Sequence, residues 1–380
     1  MKVLYDHQAF TMQYFGGVSK CFCELISRLP TNIDYTISIK QSNNIHLKDS
    51  KLCDYLEPVK IDRLTYLEKY HFKGRSKVWN MLMKTPFFLP AEKINQKESV
   101  KNLECINWNV FHPTFFDPYF IPYLNDKPYV LTVHDMISEL YPIYGMKEQC
   151  RYKLKTVEHA AAIVVVSENT KQDLCDILNV PERKVHVIYH GGPEPERIMD
   201  APIIDGKYFL YVGIRKAYKN FDKLLEEFSY FSFLHPEVNL VCTGQPFTSE
   251  EINKFAKYKI KDKIIYLHPS DRALKNLYAY AIAFIYPSEY EGFGMPILEA
   301  YAYGCPVLLN RKSCFPEIAG EAALYFDTDE KQSICHALSE IYSYTDERRN
   351  KLIEKGYIRL KHFSWTQSAE KLARVYESLI

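Results

Sequence analysis

Residues 284–306 read FIYPSEYEGFGMPILEAYAYGCP, and the fold turns on how this stretch is parsed. The apolar run Ile282–Tyr286 has the length of a buried strand. Pro287 and Ser288 end it. Tyr290-Glu291-Gly292-Phe293-Gly294 follows, and its two glycines let backbone approach a ligand closely. Pro296 suits the first turn of a helix, where its missing N–H is not needed. Gly304 suits the end of that helix, and Pro306 prevents its continuation. The unit is therefore strand, glycine loop, helix N-terminus. Such a unit turns unpaired N–H groups and the positive end of a helix dipole toward an anion, usually a phosphate.

Working outward, two carboxylates bracket the helix start: Glu291 in the loop and Glu299 inside the helix. They would repel a phosphate, so their natural partners are hydroxyls, as for the acidic residue that holds a ribose in dinucleotide folds. Read singly, each is as well explained as a solvated charge. The same strand–loop–helix unit recurs near the start, where Val3–Tyr5 is followed by Gly16-Gly17 and a helix with Val18, Phe22, Leu25, Ile26 and Leu29 on one face. A Gly-Gly pair alone only eases a turn. It recurs again after Tyr208–Val212, where Gly213, Arg215 and Lys219 precede a helix built on Phe221, Leu224, Leu225 and Phe228. Basic groups between a strand end and a helix suit a diphosphate, Arg by two parallel bonds and Lys as a point charge. A solvated turn is the alternative. Gly244, after strand Val238–Cys242, allows another close backbone approach. His134-Asp135 closes the strand Pro128–Val133, at a carboxyl end where ligands gather. Asp135 is expected to orient its own loop.

Glu291-x-Phe293-Gly294 with Glu299 five residues past Gly294, following a strand, resembles the signature of the retaining nucleotide-sugar glycosyltransferases of family 4, which have the GT-B fold. The resemblance covers nearly the whole chain, strongly over 208–326, fairly over 128–192 and weakly over 30–127. It implies an α/β protein of two Rossmann-like parallel-sheet domains facing across a cleft, with a C-terminal helix crossing back onto the first. The expected division is 1–192 with about 363–380, a linker near 193–202, and 203–362. Transfer of a sugar from a UDP-, GDP- or dTDP-sugar to a glycan or lipid-linked hydroxyl is implied, in the setting of bacterial surface polysaccharide.

By the same resemblance, Lys219 and Arg215 face the donor diphosphate, with Gly16, Gly17, Gly244 and the backbone of Gly292, Phe293, Gly294 and Met295. Glu299 would hold the ribose, Glu291 a sugar hydroxyl, and His134 the donor sugar. Arg215 departs from the family's placing, because many relatives carry the arginine where Ile214 stands. Glu317 falls in a segment that lies beside the donor in the family, though a glutamate there also caps turns. His190-Gly191 matches the end of the first domain and suggests interdomain geometry. The acceptor would attack from the leaving-group side, with the diphosphate taking its proton. No cofactor or metal is expected, since Lys and Arg can neutralise phosphates.

Composition narrows the alternatives. The 380 residues suffice for two domains, and 47% are hydrophobic, which excludes a disordered chain. A net charge of +1 argues against nucleic-acid binding. Ten cysteines without a C-x-x-C pair suggest free thiols in a reducing cytoplasm. Neither a membrane span nor the apolar core of a signal peptide is seen. Residues 60–84 are rich in Lys, Arg and aromatics; they suit either peripheral contact with the cytoplasmic face of the membrane or a helical excursion with its rings packed inward. Other readings of the chain are a GT-B phosphorylase or epimerase, a glycosidase using Glu291 and Glu299, and a non-catalytic nucleotide-sugar-binding or assembly subunit.

Overall fold

A computed structural model describes every residue except 54–55, 60–77, 79–80, 82–89, 143–145 and 216. The basic, aromatic segment 60–84 therefore lies almost wholly outside the described residues. The first sheet is built from β1 (Lys2–Tyr5), β2 (Asp34–Ile37), β3 (Val110–His112), β4 (Val130–Val133), β5 (Ala162–Val165) and β6 (Val185–Val187). These strands form two parallel triplets, β2-β1-β3 and β4-β5-β6, joined where Phe111 bridges Tyr129. Strands β4 and β5 are buried at every residue, as strands covered by helices on both faces must be.

The second sheet holds β7 (Lys207–Tyr211), β8 (Val238–Cys242), β9 (Ile264–Tyr266), β10 (Phe284–Tyr286), β11 (Val307–Asn310) and β12 (Leu324–Phe326). Its order is β12-β11-β10-β7-β8-β9, all parallel. Strand order reverses between β7 and β10, and in such sheets ligands bind beyond the carboxyl ends at that reversal. The two stretches singled out in the sequence, 213–220 and 287–294, are the loops leaving β7 and β10. Chain connectivity thus delivers Lys219 and Glu291 to one crevice. This is the two-domain α/β architecture that the resemblance implied.

The last helix, Trp365–Glu377, returns to the first domain. It buries Trp365, Ala369, Leu372, Ala373 and Tyr376 in the core that contains Val3, Tyr5 and Phe22. Each large apolar side chain so buried contributes about 1.5–3 kcal/mol. The Tyr376 hydroxyl lies 2.7 Å from that of Tyr5 and 2.5 Å from His112 Nδ1, while His112 Nε2 is 2.9 Å from the Thr132 hydroxyl. Fully buried among hydroxyls, His112 has its pKa lowered to about 3, chiefly by desolvation.

That shift has a measurable sign. The unfolded chain takes up a proton near the ordinary histidine value of 6.5, whereas the folded protein keeps the ring neutral to about pH 3. Stability from this group is intact above pH 6.5 and falls as pH drops below it, by up to about 1.4 kcal/mol per pH unit. Denaturant titrations at pH 7 and pH 5 should show a smaller loss for His112→Gln than for the parent chain. Equal losses would mean that His112 is not the group being protonated.

Candidate active site

The loop after β10 is fixed by its carbonyls. Glu291 O accepts from the Ser313 hydroxyl at 2.8 Å, Gly292 O from the Ser167 hydroxyl at 2.7 Å, and Phe293 O from the Cys314 thiol at 3.3 Å. The Glu291 N–H is itself taken by the Ser313 hydroxyl oxygen at 3.2 Å, so an N–H edge for a ligand would begin only at Gly292 and run to Met295. Gly294 caps the helix Met295–Ala302 at φ +92, a left-handed conformation that favours glycine, and Pro296 sits in the first turn. Gly304 follows that helix at φ +68. Together these give the glycine loop and helix start expected from the sequence.

Lys219 ends the short turn Ala217–Lys219 after β7. Its Nζ donates to Glu291 Oε1 at 2.5 Å and lies 3.4 Å from the Tyr286 hydroxyl. Both side chains of the ion pair are nearly buried. Burial, then the adjacent Glu291 carboxylate, push the Tyr286 phenol well above its ordinary pKa, so it remains a neutral donor. The cation and the carboxylate satisfy each other. A diphosphate would compete for the ammonium, and a sugar hydroxyl for the carboxylate. Glu299 accepts from the Tyr278 hydroxyl at 3.2 Å, and Lys20 of the first domain stands 4.0 Å away.

The other positions divide. Arg215 is held by its own domain: it donates to Glu251 at 2.5 Å and to the carbonyls of Gln245 and Pro246 at 2.6 and 3.1 Å. It braces the loop after β8 instead of standing free beside Lys219. Gly244, at φ +107, would place a Cβ 2.4 Å from the Gly213 carbonyl, so its close approach is to protein backbone. Gly16 precedes the helix Gly17–Ile26 in extended conformation. A Cβ there would lie 2.4 Å from Gln13 Oε1, the atom that accepts the Ser19 N–H at 3.1 Å, while at Gly17 nothing lies within 4 Å. Gln13 thus already occupies one N–H of that helix start.

His134 closes β4 as expected, and Asp135 takes the Ile137 N–H at 3.0 Å, fixing its own loop. Lys153, fully buried, ties the same loop down through the Asp135 carbonyl at 2.9 Å and Glu139 at 2.7 Å. Desolvation lowers the His134 pKa to about 4. The ring is neutral near pH 7, suited to a hydroxyl and unable to supply positive charge to a phosphate.

The second domain's loop is seated on the first domain. A Cβ on Gly292 would fall 1.8 Å from the His134 carbonyl oxygen. The Tyr290 hydroxyl donates to Asp173 at 2.7 Å. Glu317 reaches across to accept the N–H groups of Glu168 and Asn169 at 2.7 and 3.2 Å, at the start of the helix Glu168–Leu178. A carboxylate at a helix N-terminus is favourable. Glu317 is here a cap on the opposite domain. His190 lies between the rings of Phe293 and Trp365, at 4.9 and 5.3 Å. At Gly191 a Cβ would meet the Trp365 backbone nitrogen at 2.3 Å, so the chain can pass there only as glycine.

Comparison with known proteins agrees with this arrangement. The family model "Glycosyl transferases group 1" matches residues 196–359, and "Glycosyltransferase Family 4" matches residues 63–192. The chain belongs to the family 4, group 1 glycosyltransferases. This glycosyltransferase is 30% identical over 229 residues to O-antigen chain mannosyltransferase RfbU of Salmonella typhimurium, spanning 60% of the chain and 64% of that relative. It is 26% identical over 281 residues to O-antigen chain mannosyltransferase B of Escherichia coli, spanning 69% and 73%. Among solved structures, HepE of Anabaena in complex with UDP and glucose superposes with a TM-score of 0.73 at 14% identity over the full length of both chains. Sucrose-phosphate synthase of Thermosynechococcus elongatus gives 0.69 at 16% identity over 100% of this chain and 98% of that one. At these identities the structures speak for the GT-B fold.

Several residues that shape the glycosyltransferase's loop were not singled out for it in the sequence. Ser167 reads as a helix cap, and it does accept the Thr170 N–H at 3.1 Å; that role hides its bond to Gly292. Ser313, at φ +54, carries no sequence signal for binding Glu291. Lys20 and Lys153 are single lysines on helices, and only packing gives them partners. No helix among the described residues is long and apolar enough to cross a membrane.

Proposed function

We propose that this glycosyltransferase moves a sugar from a nucleoside-diphosphate sugar, with retained configuration, to a hydroxyl of a growing bacterial surface glycan or its lipid-linked precursor. The observation that carries the reading is the Lys219–Glu291 pair beside the N–H edge of the Gly292–Met295 loop. It brings charge for a leaving diphosphate and an acceptor for a sugar hydroxyl into one crevice. The mannosyltransferase relatives of O-antigen assembly support the glycan setting, and the UDP complexes of HepE support a nucleotide donor. In the proposed step the bond from the anomeric carbon to the diphosphate breaks as the acceptor oxygen bonds to that carbon. The acceptor's proton passes to the departing diphosphate. Lys219 and the loop N–H groups stabilise the charge that develops there. Glu299 is assigned to the ribose, His134 to a donor-sugar hydroxyl, and no metal is assigned a role in the transfer.

On the acceptor side, a cavity of about 200 Å³ opens beyond β1 and β3, lined by His7, Thr11, Phe116, Asp117, Tyr119 and Tyr152. Aromatic faces flanked by hydrogen-bonding groups suit a saccharide, which has apolar faces and a hydroxyl rim. The test is a thermal-shift screen of UDP-, GDP- and dTDP-sugars, mannosyl donors included. At 100 times Kd a ligand bound only by the native state adds about 2.7 kcal/mol. One nucleotide class should raise Tm clearly, and its sugar should then pass to a lipid-linked glycan. No shift with any donor would end the proposal. Glu299→Ala should lower donor affinity about tenfold by calorimetry, the effect of one lost hydrogen bond to a charged group at about 1.5 kcal/mol. Unchanged affinity would remove Glu299 from the ribose.

A further inference from the structure

Cys21, His134 and His190 reach one point from three places in the first domain: the Gly17–Ile26 helix, the end of β4, and the segment leaving β6. One ligand-capable atom of each lies within 4.8 Å of those of the other two. Cys21 Sγ is 3.4 Å from His190 Nδ1. His134 Nε2 is shut off from solvent and has no hydrogen-bond partner. A tetrahedral zinc ion with Zn–S near 2.3 Å and Zn–N near 2.0–2.1 Å sets neighbouring ligand atoms roughly 3.5 Å apart. The cluster meets that spacing after side-chain adjustments on the order of 1 Å. One thiolate and two imidazoles favour a borderline-soft cation over magnesium or calcium.

We propose that Cys21, His134 and His190 form a binding site for Zn2+ or a similar divalent cation, and that its occupancy inhibits glycosyl transfer. Binding is ligand exchange without redox change: the Cys21 thiol gives its proton to solvent and the thiolate joins two neutral imidazoles on the metal. Inhibition follows from position. The His134 carbonyl abuts Gly292, and the Phe293 ring covers His190 at 4.9 Å, so the second domain's loop seats directly over the cluster. A bound ion would hold the His134 ring away from the donor and oppose that seating. The inhibitory half rests on the donor reading above; the binding half does not.

Cobalt separates the two halves, because it reports on the site without any donor. Titrating Co2+ into the purified chain should give a thiolate-to-cobalt band in the near ultraviolet and the visible bands of a four-coordinate ion, saturating at one equivalent and displaced by Zn2+. Cys21→Ser should abolish the near-ultraviolet band. It should weaken Zn2+ inhibition by more than about 100-fold, beyond the roughly 10–100-fold that loss of an outer-shell partner costs. Its transfer rate in EDTA should match the parent's. In the parent chain, Zn2+ should also slow iodoacetamide modification of Cys21, read by peptide mass spectrometry, a check that needs no variant. No band in the parent, an equal band in Cys21→Ser, or unprotected Cys21 would overturn the site. A cobalt band with undiminished transfer in Zn2+ would overturn the inhibition alone.

Discussion

Lys219→Ala is expected to lower turnover at saturating donor by about 10²–10³-fold, the range for loss of one donor aimed at developing charge. The ammonium is the charged group that the structure brings to Glu291 at the β7–β10 reversal. Its side chain is nearly buried, so its field is weakly screened by water. Removing it also strands the Glu291 carboxylate, which for a buried pair costs about 3–5 kcal/mol. Turnover and folding are separated by the double variant Lys219→Ala/Glu291→Gln. Melting temperature should fall in the single variant and recover in the double one, while turnover stays low in both. Near-parental turnover in Lys219→Ala would remove the lysine from the reaction.

A comparable loss, about 100-fold in turnover, is expected for Gly292→Ala. The added Cβ would sit 1.8 Å from the His134 carbonyl oxygen and 2.9 Å from its carbon. Both are backbone atoms closing β4, and that loop is pinned by Lys153, so neither yields as a flexible side chain would. The Tyr290–Gly294 loop must move instead. Its bonds to Ser167 and Asp173 would then lengthen, and Glu291 and the N–H edge would shift with it. Displacement by about 1 Å is enough for a 10²-fold loss where reacting groups are held for attack. The check is steady-state kinetics beside a melting curve. Full turnover in Gly292→Ala would show that the seated loop is not the reacting arrangement.

Much of this protein could be read from short stretches of chain. The strand–glycine loop–helix units after β7 and β10 were legible because left-handed glycines and proline placement are properties of a few adjacent residues, whereas after β1 a short helix, Gln8–Met12, stands where a loop was expected before Gly16. The types of charge at Lys219, Glu291 and Glu299 were legible for the same reason. Resemblance to family 4 then named the fold and the class of chemistry. Other features required the folded chain. Arg215 and Lys219 look equivalent in sequence, yet the first is braced against Glu251 and the second meets Glu291. Gly244 looks like a ligand approach, yet its missing Cβ makes room for the Gly213 carbonyl. Glu317 looks like a member of its own segment, yet it caps a helix of the other domain. The physical reason is common to all three. Strand order and domain docking arise from packing between residues far apart in the chain, and local backbone preference does not specify which distant group arrives beside a given side chain.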